Sequence, residues 1–275
     1  MSFKIVPLVK NTNSEKWKFL KAPLPHPPFR LMNYGSTGSG KTTAVLNLVL
    51  RFLVHPRTRL NIFDHIFVFT PSLTQDVAFR ALADENLVDP SIIYASNELN
   101  KDLIQWLVNG CPDHDTFTDE LDVRRDDNIL ILIDDFAGNK KKLADDILYD
   151  LFFRSRHANI STIINTQHYS NIPIQIRNNC SHMMIFRHTN NHEAMIIKQE
   201  QETADLNDDD FEEVYSDCTD EKYSFMYIDK SSGTPKFYKR FEYVVKLPER
   251  KNGKDKVITS SSSVVDVIKN DDRIN

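Results

Sequence analysis

Glycine is scarce in this chain, with seven among 275 residues, and three of the seven fall between positions 35 and 40. Cysteine is scarcer still. Cys111, Cys180 and Cys218 are odd in number, widely spaced and form no C-x-x-C pair. That pattern excludes a disulfide framework and fits reduced thiols in a cytosol-like compartment. Zinc fares no better, because His188 and His192, with Cys180 and His182 nearby, make neither H-E-x-x-H nor a cysteine pair. No apolar run reaches the roughly 18 residues of a membrane-spanning helix. The opening MSFKIVPLVK has too short an apolar core for a signal peptide, so a soluble, non-secreted protein is expected. Positive charge is not in surplus either: 34 Lys and Arg stand against 39 Asp and Glu, a formal net charge of −5. A surface coated with basic residues is thereby excluded, whereas a local basic groove or a ring pore remains compatible with nucleic acid. There is no internal repeat.

What is present is a regular alternation. Residues 11–28 are polar and then proline-rich, and predict an irregular, extended lead-in. Apolar runs of strand length follow at 29–34, 65–70, 91–95, 129–133, 160–166 and 182–187. Helical spacing of apolar residues separates several of them, in TTAVLNLVLRFLV, DVAFRALADENL, NELNKDLIQWLVNG and KKLADDILYDLFFRSR. Strands alternating with helices predict an α/β fold with a mostly parallel sheet covered on both faces. Residues 198–221 are acidic and read as a solvated helix and loop. YSFMYIDK and KFYKRFEYVV flank SSGTP, a β-hairpin signal. The expected division is an N-terminal extension at 1–26, one α/β domain at 27–248 and a flexible C-terminal tail at 249–275.

The glycine cluster lies in Gly35, Ser36, Thr37, Gly38, Ser39, Gly40, Lys41, Thr42 and Thr43, which fit G-x-x-x-x-G-K-[ST] between a predicted strand and a predicted helix. Glycines let successive backbone N–H groups turn inward around phosphate oxygens, and the helix start adds its positive dipole end. Lys41 is placed to reach the β and γ phosphates of a nucleoside triphosphate, and Thr42 to ligate Mg²⁺. The metal also needs a carboxylate at a strand end. ILILIDDF supplies Asp134 for Mg²⁺, directly or through water, and Asp135 to polarise an attacking water. Gln167 ends the next predicted strand, so its amide can sense the γ phosphate if the two strands are neighbours. Arg156 closes a helix just before that strand, where a cationic role and simple pairing with the helix C-terminal dipole both account for it. Lys140, Lys141 and Lys142 follow Asp135 and read either as phosphate contacts to DNA or as a solvated loop.

Taken in order, GSTGSGKT, ILILIDD, RH-x-N-I-S-x-x-I-x-x-x-Q and I-P-x-x-I-R-N-N resemble the poxvirus-type genome-packaging ATPases of the FtsK–HerA superfamily, over roughly residues 27–190. The resemblance implies a P-loop, RecA-like ATPase core that assembles as a ring and drives double-stranded DNA into a preformed capsid. It implies ATP and Mg²⁺ as ligands, capsid proteins as partners, and a site of action in the host cytoplasm, a viral factory or the virion. It also implies roles: Lys41 and Thr42 for phosphate and Mg²⁺, Asp134 for metal, Asp135 as catalytic acid, Gln167 as sensor. Arg156 takes the place of an arginine finger reaching into the neighbouring subunit's site, with Arg177 and Arg154 as weaker alternatives. This chain departs from the family in carrying Asp-Asp where Asp-Glu is commoner.

Rival readings share parts of this pattern. A related DNA translocase or helicase would use the same site chemistry. A non-hydrolysing, nucleotide-dependent capsid scaffold would keep the fold, although Lys41, Asp134 and Gln167 are all intact. GNKKKLAD superficially suggests a GTPase, but Lys142 stands where the guanine-binding aspartate is needed. A small-molecule kinase would need an acceptor pocket under a lid, for which the sequence shows no marker.

Overall fold

A computed structural model describes residues 17–245, apart from 56, 85, 112–116, 118–120, 137–144, 189 and 202–207. The expected lysine cluster at 140–142 and the tail at 249–275 lie outside the described residues.

Along the chain, β1 (Arg30–Tyr34) leads into α1 (Lys41–Asn47), which continues as a π-helical turn at Leu48–Phe52. β2 (His65–Phe69), a 3₁₀ turn at Val77–Ala83 and β3 (Ile93–Ser96) follow, then α2 (Lys101–Val108) and β4 (Ile129–Asp134). Next come α3 (Asp145–Tyr149), extended by a π turn (Asp150–Arg154) and a 3₁₀ turn (Ser155–Ala158), and β5 (Ile160–Thr166). α4 (Ile174–Asn179), β6 (His182–Phe186), α5 (Asn191–Gln201) and α6 (Asp208–Thr219) precede the closing strands β7 (Phe225–Asp229), β8 (Lys236–Lys239) and β9 (Tyr243–Val244).

Among the described residues the strands form a single nine-stranded sheet in the order β3-β2-β4-β5-β1-β6-β7-β8-β9. All pairings from β3 to β6 are parallel, and β7, β8 and β9 add antiparallel strands at one edge. The mostly parallel α/β fold expected from the alternation is the fold observed. The hairpin is present as β7 and β8, and the second run breaks at Arg240, whose φ of +56° ends β8 and lets Tyr243–Val244 return as a third strand.

Period-two alternation sends side chains of each parallel strand to opposite faces. Met32, Phe67, Ile131 and Ile164 face one core with Leu107 of α2, Leu148 of α3, Leu151 and Phe152. Leu31, Val68, Leu132 and Ile163 face the other, with Val45 and Leu46 of α1, Leu48, and Phe79 and Leu82 of the 3₁₀ turn. Trp17 and Leu20 are buried in that second cluster too. Every residue of β4 and β5 is buried; β4 is apolar up to Asp134, while β5 mixes isoleucines with the buried polar residues Ser161, Thr162, Asn165 and Thr166. Fully burying one such leucine or isoleucine is worth about 1.5–3 kcal/mol, so the middle of the sheet is a rigid support for whatever its strand ends carry.

One helix expectation shifted in type and another, a helix as expected, in burial. DVAFRALADENL forms a 3₁₀ turn, capped by Asp76, whose side chain accepts from the Ala78 N–H at 2.9 Å. Its buried pair Phe79 and Leu82 stand three apart, a spacing that a helix of three residues per turn satisfies as well as an α-helix. The acidic stretch read as solvated carries α6, which buries Phe211, Val214 and Cys218.

Candidate functional site

β1 ends at Tyr34 and the chain turns through the glycine cluster into α1. The Gly35 N–H donates to the Thr166 carbonyl at 3.3 Å, tying the loop to the end of β5. A Cβ on Gly35 would stand 2.6 Å from the Cβ of Phe186 and 2.8 Å from the Ser39 hydroxyl, so only glycine fits there. Gly40 takes φ +97° immediately before α1, a conformation L side chains rarely adopt. The Ser39 hydroxyl is buried with no hydrogen-bond partner among the described residues. Lys41 is buried, and its ammonium bends back to donate to the Ser36 carbonyl at 3.0 Å. Burial lowers its pKa, and the charges of Asp135 and Asp134 offset this only in part.

The sheet register builds the rest. Asn33 pairs with Asn165 and Asp134 pairs with Asn165, so the three stand in line across β1, β5 and β4. Alternation puts them on the face covered by α1. Asn165 Nδ2 donates to Asp134 Oδ1 at 2.7 Å, while Asn33 Nδ2 donates to Asn165 Oδ1 at 2.9 Å and to the Lys41 carbonyl at 3.1 Å. The other Asp134 oxygen accepts from Thr42 Oγ1 at 3.5 Å and from Thr70 Oγ1 at 3.4 Å. Only 3% of Asp134 is exposed. Its pKa is pushed up to about 6, chiefly by burial and further by Asp135, against the opposing pull of Asn165 and Lys41.

One residue on, Asp135 adopts φ +58°, a left-handed backbone that aspartate tolerates better than most. Its carboxylate is exposed and receives Gln167 Nε2 at 2.8 Å on each oxygen. Gln167 Oε1 in turn accepts from Thr37 Oγ1 at 2.6 Å. The amide is oriented from both sides, bridging the tip of the glycine loop to Asp135. β4 and β5 are neighbours, the condition on which the sensing role of Gln167 rests.

The arginines sort differently. Arg156 is exposed in the 3₁₀ turn before β5, so the seven residues of β5 separate it from Gln167 by roughly 20 Å at the usual rise per residue. It lies close enough to Arg30, at the start of β1, that its charge adds to burial in lowering the Arg30 pKa. The structure therefore does not bring Arg156 to the site of its own chain. Arg154 is half-exposed, paired with Asp150 at 2.8 Å and with Asn109 Oδ1 at 3.0 Å. Arg177 is spent inside the fold. Its guanidinium donates to Glu200 at 2.9 and 2.5 Å and to the carbonyls of Tyr169 and Ile172, and packs 4.8 Å from the Tyr169 ring centroid.

Asn33, Thr70 and Asn165 are site residues that the sequence reading passed over. Each is a polar residue at or just past the C-terminal end of a parallel strand, the end at which open α/β sheets bind ligands. That shared position is the signal by which they could have been found.

The site fits a metal-bound triphosphate. A hard, oxygen-only donor pair, Thr42 and Asp134, suits Mg²⁺. The loop N–H groups, the Ser39 hydroxyl and Lys41 suit an anion beside it.

The family described as Poxvirus A32 protein matches residues 16–228. The DNA packaging protein OPG160 of Variola virus is 29% identical over 173 residues, which make up 62% of this chain and 57% of that protein. Its namesake from Monkeypox virus is 26% identical over 188 residues, 66% of this chain and 55% of that protein. The chain thus spans a little over half the length of these curated relatives. Among solved structures, the genome packaging NTPase B204 from Sulfolobus turreted icosahedral virus 2 in complex with AMP is similar with a TM-score of 0.52 at 15% identity, covering 78% of this chain and 98% of that one. The same protein in complex with ATP-gammaS gives 0.50 at 16%, covering 79% and 100%. At these identities the likeness is one of fold.

Proposed function

We infer that this chain, which belongs to the Poxvirus A32 protein family, is an ATP hydrolase whose cycle drives double-stranded DNA into a preformed capsid. The observation that carries the reading is the chain of contacts from Thr37 through Gln167 to Asp135, laid beside a glycine loop with a buried lysine. The relatives named as DNA packaging proteins support the polymer on which the motor works.

Each residue then has a task. Lys41 exchanges the Ser36 carbonyl for the β and γ phosphate oxygens, and the N–H groups of residues 35–43 surround the remaining oxygens. Thr42 and Asp134 hold Mg²⁺, which when bound neutralises charge on the phosphates. Asn165 and Thr70 fix the Asp134 carboxylate in position. Asp135 polarises the attacking water, and Gln167 reports the γ phosphate to it. With Gln167 donating to both oxygens of Asp135, the base is held back until the amide turns. A triphosphate that draws Thr37 toward itself removes one of the two contacts fixing that amide, coupling occupancy to release of the base.

The ATPase unit is residues 27–248, preceded by an extension at 1–26 whose Trp17 and Leu20 fold back onto it, and followed by the tail at 249–275. A ring is part of the proposal. Arg156, exposed and remote from its own site, acts as the finger only if the N-terminal edge of one subunit's sheet meets the strand ends of the next. Arg154 is the alternative on the same edge, while Arg177 is withdrawn because its donors are committed to Glu200 and two carbonyls. The motor works in the host cytoplasm or viral factory, or in the virion, docked to capsid proteins. Among the described residues no helix is long and apolar enough to cross a membrane.

Phosphate release, measured across protein concentration with and without long duplex DNA, tests the reading. The rate per chain rises with concentration and again with DNA, and Lys41→Ala abolishes it. A rate equal to that of Lys41→Ala under every condition makes the chain a non-hydrolysing scaffold.

A further inference from the structure

The turn between α6 and β7 sets an exposed aromatic ring against the phosphate loop. Tyr223 is 57% exposed, yet its Cδ1 stands 3.1 Å from where a Cβ on Gly40 would be. Its backbone is left-handed, with φ +66°. Such a conformation is strained for a bulky residue and persists only where its surroundings enforce it. Here they do. Ser224 N donates to the Glu221 carbonyl at 3.1 Å, Arg240 holds the Glu221 carboxylate at 2.6 Å, and Lys239 holds Asp220 at 2.8 Å. Two strand β8 and post-β8 cations thus pin the turn that presents the ring. The Lys222 ammonium rests over one face at 4.7 Å from the ring centroid; the ring is largely exposed and Lys222 is a solvated side chain, so another partner can displace it from that face.

Position decides what that partner is. Asp134, Asp135 and Gln167 lie on β4 and β5, at one flank of β1, while β6 and β7 form the other flank. A triphosphate laid along the loop with its γ end at Gln167 runs out toward the second flank, where Tyr223 stands beside the last loop glycine. We propose that Tyr223 is the stacking platform for the nucleobase of the bound nucleotide. The proposal rests on the nucleotide-binding reading above and adds the residue that holds the base. Stacking on an aromatic ring is worth about 1–3 kcal/mol per base and tolerates any base with a π face. Tyr223 accordingly supplies affinity while leaving adenine and guanine nearly equal.

The test compares wild type, Tyr223→Phe and Tyr223→Ala in calorimetric titrations with Mg²⁺·ATP and with Mg²⁺·tripolyphosphate, which has no base. Tyr223→Ala weakens ATP about tenfold and leaves tripolyphosphate within about twofold, while Tyr223→Phe matches wild type on both. Equal weakening of ATP and tripolyphosphate by Tyr223→Ala would show that the ring only supports the loop at Gly40, and overturns the proposal, as does no weakening of either. A wild type that binds neither ligand overturns the nucleotide reading itself, and the platform with it.

Discussion

Two clusters of charge are buried in this fold, one between helices α4 and α5 and one at the strand ends beside α1, and they are built on opposite terms. Around Arg177, every charge meets a partner: Glu200 accepts from the guanidinium, from Tyr169 Oη at 2.8 Å and has its companion Glu193 receiving the Tyr169 and Ser170 N–H groups. Burial alone would lower the Arg177 pKa, and the Glu200 contacts outweigh it, so the pKa is raised. Around Lys41 and Asp134 the balance runs the other way. Lys41 is shifted toward its neutral form and Asp134 toward its protonated form, because each is buried among neutral amides and hydroxyls with no opposite charge in hydrogen-bonding contact. The first cluster is a finished structural joint. The second holds buried charges with no opposite charge in hydrogen-bonding contact, and this supports the proposal that it is the nucleotide site.

The largest effect expected from this contrast is on Lys41. Lys41→Ala lowers phosphate release by about ten-thousandfold, roughly 5.5 kcal/mol of transition-state stabilisation, while the melting temperature holds or rises because an incompletely paired buried charge is gone. Arg177→Ala should do the reverse: it strands Glu200 and costs about 3–5 kcal/mol of stability in chemical denaturation, with nucleotide affinity of the folded fraction unchanged. Were Arg177→Ala instead to lower turnover at constant stability, the two clusters would not be distinct. Gln167→Ala removes the bridge to Asp135 and slows release about a hundredfold, near 2.7 kcal/mol, with nucleotide affinity changed less than about threefold.

The smallest effect sharpens the contrast through pH. Asp134 has a native pKa of about 6, above the roughly 4 of an unfolded aspartate. Between those values the native state binds more protons than the unfolded one, so stability of the nucleotide-free protein falls as pH rises through that window and is flat above it. Asp134→Asn removes that fall and raises the melting temperature at neutral pH. A pH-stability profile of the variant identical to wild type would place the charge elsewhere.

Much of this was readable in the chain. The strands β1 to β6 were marked within about two residues because burial on both faces leaves runs rich in apolar and β-branched residues, as in ILILI and ISTIINT. The glycine loop was marked by spacing, and Asp134, Asp135 and Gln167 by lying at strand ends. What the sequence concealed depends on register. Asn33 and Thr70 are ordinary polar residues until the order β2-β4-β5-β1 brings them to Asp134, 101 and 64 positions away in the chain for Asn33 and Thr70. Helix type was equally hidden, since the three-residue spacing in Phe79 and Leu82 serves a 3₁₀ turn as well as an α-helix. Tyr223, at the head of YSFMYIDK, was read only as part of the hairpin because its contact is with a glycine that precedes it by most of the domain.

The most direct test is equilibrium titration of the wild-type chain with Mg²⁺·ATPγS, followed by heat or by a labelled nucleotide. One saturable site per chain, lost in Lys41→Ala, is the predicted result. Failure to retain nucleotide at any protein concentration would contradict the account at its root.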